Sequence, residues 1–354
     1  MLSWLNSHKK SLKYILGIIN NKNSKSAGQF LDESYLGLNN IQTPLRIFKA
    51  KKPNKTTFIL FPGASPFAEN HPGMISLATT VVNLGYNVFI PRIPPLKALK
   101  LTSENIDWFA KAYEEIINRN DVNKKNVAII GISFGGSILL KATLNEKIKS
   151  NPPRSMLMYG SCFDLQSGLN FLLTGQINHN GEIHHISPNE WGLTVLFHNF
   201  IKHIDAGFDT SMVETVLSAR VADKLDVVEE LKLKLNKHDF KFINSVLNAQ
   251  ITPEIKKITE KIISSQSKSL LELSPSSFCE KINLKVFIMH GANDSMVPFT
   301  ESVKLGERIP DNKLLISYLY EHKEISTNTS LLRKIIEIYK LEHFFASYFR
   351  YNAS

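Results

Sequence analysis

Gly131, Ile132, Ser133, Phe134 and Gly135, with Gly136 next, set a serine between small residues two positions before and two after it. This GxSxG spacing suits a serine held on a sharp strand-to-helix turn, where the hydroxyl projects from the strand end and the small flanking residues let strand and helix approach closely. Chance alone puts the pattern in about one chain in ten of this size, so its setting decides its meaning. Here the apolar run Val127 to Ile130 leads into it and the helix-forming run Ile138 to Ala142 leaves it. A serine hydroxyl is a poor nucleophile until a base takes its proton, so this chemistry requires a histidine and an acid downstream.

The segment His290, Gly291, Ala292, Asn293, Asp294, Ser295, Met296, Val297, Pro298 directly follows the apolar run Val286 to Met289. Together with the serine motif it resembles the α/β-hydrolase superfamily, whose acid commonly stands in an HGxxDxxVP stretch after a late strand. The resemblance implies that Asp294 is the acid and that His290 is structural. Asp164 is the alternative acid, because some members place it after the preceding strand. The same resemblance implies the chain order Ser, Asp, His, with the base on the loop after the last strand. His322 stands there, two residues beyond Tyr320. His343 competes with it from the final helix, at spacing 332, 336, 339, 343 on what reads as an apolar stripe, the place of a packed histidine. The loop Tyr320, Glu321, His322, Lys323, Glu324 departs from the family in lacking the glycine before its histidine. An anionic tetrahedral intermediate needs two main-chain donors. The resemblance assigns these to Phe134 and to the turn Pro62, Gly63, Ala64, Ser65, within which Ala64 is the donor. Pro62 and Gly63 replace the family's His-Gly pair there.

Positioning such groups takes a sheet with its strand ends aligned. Strand-like runs at Leu45 to Lys49, Thr57 to Phe61, Asn87 to Pro91, Asn126 to Ile132 and Ser155 to Tyr159 alternate with helical spacing at Met74 to Leu84, Ser103 to Asn118 and Gly135 to Ala142. Ser103 reads as the cap of its helix. This rhythm predicts an α/β fold with a mostly parallel central sheet and helices on both faces. It lapses after Asp164 and resumes at Leu284, with strands at Lys285 to Met289 and Leu314 to Tyr320 and helices at Thr300 to Arg308 and Thr329 to Phe349. The chain is therefore expected to divide into a basic N-terminal extension (1–43), a hydrolase-like core (44–163 and 284–354) and an all-helical lid insertion (164–283). Phe171, Leu172, Leu173, Trp191, Leu196, Phe197 and Phe200 of the insertion are candidates for an acyl pocket or for the core of the lid.

Of 354 residues, 43% are hydrophobic and 21% charged, a globular composition, and no apolar run reaches the length of a spanning helix. Residues 1–55 hold ten cations against two acids, so most of the net charge of +10 lies at the N-terminus. With no zinc-finger spacing or RNA-recognition motif in the body, that distribution points to an anionic surface met by the N-terminus more than to a nucleic-acid groove. Leu2, Leu5, Leu12, Ile15, Leu16 and Ile19 recur at helical spacing beside Lys9, Lys10 and Lys13, which suits a helix lying on an anionic membrane or one packing on the body. Cys162 and Cys279 are expected as free thiols, consistent with a cytoplasmic protein, peripheral to a membrane in the first case. His179, His184, His185, His198 and His203 come without the carboxylate spacing of a metal site, and no GxGxxG or Walker loop is present. No cofactor or metal is expected, and the partner is a small-molecule or lipid acyl ester.

Overall fold

The computed structural model describes residues 2–21, 30–319 and 331–353. Ten strands occur in chain order: β1 (Leu31–Leu36), β2 (Gln42–Phe48), β3 (Thr57–Phe61), β4 (Asn87–Pro91), β5 (Val127–Ile132), β6 (Ser155–Tyr159), β7 (Gln176–His179), β8 (Glu182–His185), β9 (Lys285–Gly291) and β10 (Asn312–Ser317). All but β7 and β8 join one sheet in the order β1-β2-β4-β3-β5-β6-β9-β10. The six strands from β4 to β10 run parallel, whereas β2 lies antiparallel to both β1 and β4. Every residue of β3 is buried, and β5 and β9 are nearly so. Such uninterrupted apolar runs fit strands covered on both faces.

Alternate residues of those strands feed two cores. Ile59, Ile129, Met156 and Ile288 face α4 (Glu104–Ile117), α5 (Phe134–Ala142) and α13 (Thr300–Arg308). Phe58, Ile130, Leu157 and Phe287 face α1 (Leu2–Asn21), α2 (Pro72–Asn83) and α14 (Leu331–Tyr351). Short helices α3 (Pro94–Lys97) and α6 (Glu146–Lys149) complete this body. Between β6 and β9 come α7 (Leu165–Thr174), the β7–β8 hairpin, α8 (Glu190–Phe200), α9 (Ser211–Val221), α10 (Leu225–Lys232), α11 (Lys237–Leu247) and α12 (Pro253–Leu273), packed around an apolar cluster of their own.

Three expectations need correction. The insertion is not all helical, because Asn180 and Gly181 both take positive φ (53° and 82°) and turn β7 back on β8. An Asn-Gly pair is suited to a two-residue hairpin turn. The stretch before residue 44 contributes an edge strand, β1, paired along its length with β2. The stripe leading to His343 points outward: Ile336, Tyr339 and His343 are exposed, and α14 packs through Leu341, Phe344, Phe345, Tyr348 and Phe349 instead.

Helix α1 does pack on the body, but by a different edge from the one its leucines suggest. Ser7, Ser11, Tyr14 and Ile15 are buried, while Leu5, Leu12, Leu16 and Ile19 are exposed. Small residues let the helix approach closely. Ser11 Oγ donates to the Glu342 carbonyl at 2.7 Å, and a Cβ on Gly17 would stand 2.7 Å from Thr80 Cγ2. Cys162 and Cys279 are buried free thiols, and burial pushes the Cys162 thiol well up from its ordinary range. No helix among the described residues is long and apolar enough to cross a membrane.

Candidate active site

Ser133 stands between β5 and α5 at φ 53°, ψ −135°, a conformation that a non-glycine residue holds only at a cost of about 1–3 kcal/mol. The surroundings enforce it. Its N–H donates to Tyr159 O on β6 at 2.7 Å, and its carbonyl accepts from Gly136 N at 2.9 Å and from the buried Ser161 Oγ at 3.1 Å. The hydroxyl forms no capping bond to α5, which leaves it free for other work. Close approach explains the glycines. A Cβ on Gly131 would lie 2.6 Å from Gly136 Cα, and one on Gly136 would lie 2.2 Å from Ser161 Oγ.

The turn after β3 is stacked against this elbow. A Cβ on Gly63 would meet Ile132 O at 3.0 Å and Ser133 Cβ at 3.4 Å, so Gly63 and the Ala64 that follows lie beside the serine. Neither Ala64 N–H nor Phe134 N–H has an acceptor among the described residues. Phe134 opens α5, and the first N–H groups of a helix have no partner within it. The turn is anchored from behind by Lys97 Nζ, which donates to Pro66 O at 3.1 Å, and by buried Glu69, whose carboxylate takes Arg92 Nε at 3.0 Å. Gly135 sets the spacing of turn and elbow, since a Cβ there would fall 2.1 Å from Pro62 O. Gly135→Ala is therefore expected to cost about 1–3 kcal/mol of stability. It should also depress activity beyond that loss, because the turn must retreat from Ser133. Thermal melts paired with rates measured well below the melting temperature would check this, and a variant matching wild type in both would contradict the close packing.

Asp294 lies on the loop after β9 and is fully buried. Its Oδ1 accepts from Met296 N at 2.7 Å and Val297 N at 3.0 Å. Oδ2 is 3.2 Å from His290 Nε2. Val297 O, 2.9 Å from the same nitrogen, can only accept, so Nε2 carries a proton, and Nδ1 lies 2.6 Å from Ser302 Oγ. His290 thus braces the loop from a fully enclosed position. Ser133 and Asp294 sit at the carboxyl ends of β5 and β9, which are separated by β6 alone, roughly 10 Å at ordinary strand spacing. Asp164 lies elsewhere in bonding terms: it caps α7, with Oδ1 accepting from Ser167 N at 3.0 Å. His322 falls outside the described residues. His343 is on the outer surface of α14, with its ring 4.1 Å from that of Tyr339.

No protein-family model and no curated protein sequence matches the chain. Solved structures do. An acylaminoacyl peptidase of Pyrococcus horikoshii superposes with a TM-score of 0.52 at 10% identity, over 94% of this chain and 42% of that one. A puromycin-hydrolyzing peptidase of Mycobacterium tuberculosis gives 0.50 at 12% identity, over 91% and 39%. The fold is the α/β-hydrolase fold. This chain spans about two fifths of the length of those peptidases. An esterase of Exiguobacterium antarcticum is matched over nearly its whole length, 99%, with a TM-score of 0.45 and 14% identity.

On this α/β-hydrolase fold the insertion meets the carboxyl edge of the sheet. Asn189 N donates to Ser295 O of the acid loop at 2.8 Å. Leu99, Val195 and Val221 form a buried apolar cluster against which Ala64, Leu101 and Trp191 pack, so an apolar wall adjoins the turn after β3. Asn199 of α8 ties that wall together, donating to Leu99 O at 2.8 Å. Phe171, Leu172, Leu196 and Phe197 belong instead to the core of the insertion, and Phe200 packs against it. Among the described residues no histidine, cysteine and carboxylate group forms a metal cluster.

Sequence reasoning missed Ser161, Glu69, Arg92 and Glu301. Buried Glu301 accepts from Phe163 N and Asp164 N at 3.1 and 2.7 Å and pins the start of the insertion to α13. Nothing local in the sequence marks these residues, because each acts across a long chain separation. Ser161 had one legible sign, the need of Gly136 for a small neighbour.

Proposed function

We propose that the protein is a serine hydrolase that cleaves a carboxylic ester or thioester through an acyl-enzyme on Ser133. The observation that carries this reading is the strained serine whose hydroxyl is left out of the helix cap, beside two main-chain N–H groups without acceptors among the described residues. In the mechanism, Ser133 Oγ bonds to the substrate carbonyl carbon while its proton passes to His322. Ala64 and Phe134 N–H groups hold the oxyanion. As the intermediate collapses, the bond to the alkoxide or thiolate breaks and His322 returns the proton to that leaving group. Water then repeats the steps on the acyl-enzyme, releasing the acid and restoring Ser133. Asp294 fixes the His322 tautomer and stabilises its imidazolium. The insertion serves as a lid, and the apolar wall that its Val195 and Val221 form with Leu99 of the body favours an apolar acyl or alcohol group.

A fluorophosphonate probe tests this most directly. Mass mapping should find one adduct, on Ser133. Absence of labelling in a folded sample would instead support a binding protein on the same fold. Transfer of a tagged acyl group to an added alcohol or amine in preference to water would make the protein an acyltransferase.

A further inference from the structure

The outer face of the α1/α14 pair differs in character from a solvated helix surface. Leu5, Leu12, Leu16 and Ile19 occupy a roughly 60° arc of α1 at 3.6 residues per turn, and Leu16 is 56% exposed. The first turns of α14 add Ile335 and Tyr339, the latter 62% exposed. A chain of rings joins the two helices: Trp4 to His8 at 4.0 Å, His8 to His343 at 5.4 Å, and His343 to Tyr339 at 4.1 Å. The apolar surface is thus continuous across both.

Its charges have one sign. Helix α1 contains no acidic residue. The two glutamates of α14, Glu337 and Glu342, are 2% and 8% exposed. Lys340 bonds Glu337, and His8 bonds Glu342. Lys9 and Lys13 are exposed, with no anionic partner among the described residues. Amphipathic helices with large apolar groups, a tryptophan and unpaired lysines suit an anionic interface. A second copy of the chain fits poorly, since a two-fold contact through this face would bring Lys9 and Lys13 against like charges.

The buried side of α1, opposite this face, reaches toward the nucleophile. Tyr14 hydroxyl is hydrogen-bonded to Tyr159 hydroxyl at 2.5 Å, and Tyr159 O accepts the Ser133 N–H. Leu12 and Leu16 are within one turn of Tyr14 along the axis but about 160° round the helix from it. Tyr318, next after β10, donates its N–H to Glu337 of α14 at 2.9 Å, which ties that part of the helix to the end of β10.

We propose that this face docks on an anionic lipid bilayer. The docking rests on the patch and its charge, independent of the chemistry assigned to Ser133. Full-length protein should be sedimented with vesicles of phosphatidylcholine alone and of phosphatidylcholine mixed with phosphatidylserine, at low and high salt. Partition onto the mixed vesicles at low salt is expected to exceed that onto phosphatidylcholine by about tenfold or more, and to fall at high salt. Leu12→Glu/Leu16→Glu should reduce it by about tenfold or more while keeping the wild-type melting temperature, because both side chains are exposed. Lys9→Glu/Lys13→Glu should remove most of the preference for phosphatidylserine, and Ser133→Ala should bind as wild type does. Wild-type protein remaining in the supernatant at low salt would overturn the proposal. So would wild-type binding by both double variants, or a dimer broken by the leucine substitutions in a protein that ignores vesicles.

Discussion

Ser133→Ala is expected to lower turnover of an activated ester by about four to six orders of magnitude, with a melting temperature close to that of wild type. Stability should hold because the hydroxyl makes no capping bond and the backbone contacts of residue 133, to Tyr159, Gly136 and Ser161, do not involve its side chain. Alanine at φ 53° is as strained as serine, so the substitution neither relieves nor adds backbone energy. Ser133→Gly should be equally inactive yet lose that strain, which offsets the greater conformational entropy glycine has in the unfolded chain. The pair of variants therefore separates the hydroxyl from the conformation that presents it. Rates within tenfold of wild type in folded Ser133→Ala would remove the nucleophile assignment, whereas a large drop in melting temperature would mean that the side chain has a packing role.

The parts of this molecule that were readable in sequence are those whose cause is local. Strands β3, β4 and β6 are uninterrupted or nearly uninterrupted apolar runs ended by proline, glycine or polar residues, and the structure has them at Thr57–Phe61, Asn87–Pro91 and Ser155–Tyr159. Ser133 was legible because a close strand–helix crossing demands glycine at fixed offsets. Edge strand β1 was not, since Leu31 to Ser34 are all exposed and show no alternation. Ser103 looked like a cap, yet it forms no capping bond. Asn105 organises that helix start instead, donating from its side chain to Lys100 O and Thr102 O. The leucine spacing of α1 correctly indicated a helix but not its buried edge. Docking there is governed by the small size of Ser7, Ser11 and Gly17 and by one tyrosine, a tertiary fit that periodicity does not encode. The same limit applies to Glu69–Arg92 and Glu301, whose partners are distant in the chain.

Asp294→Asn should lower turnover by about 10⁴-fold and also destabilise the fold, a combination that follows from how the carboxylate is held. Oδ1 faces two main-chain donors, Met296 N and Val297 N, and Oδ2 faces the protonated Nε2 of His290. An asparagine must turn its NH₂ toward one of these donor sets, so a buried donor meets a donor in either orientation. That mismatch costs about 1–3 kcal/mol, readable as a lower melting temperature. Activity measured well below that temperature isolates the catalytic part. His322→Ala should abolish turnover to a similar degree, and combining it with Asp294→Asn should add little, because groups that act as one unit are not additive. The controls are set by the structure. Asp164→Asn keeps a side-chain oxygen for Ser167 N and asparagine is as good a cap as aspartate, so both activity and stability should stay near wild type. His343→Ala removes an exposed ring on the outer surface of α14 and should likewise leave turnover unchanged. Loss of activity in Asp164→Asn with retention in Asp294→Asn would move the acid to the end of β6, and the corresponding reversal between His343 and His322 would displace the base.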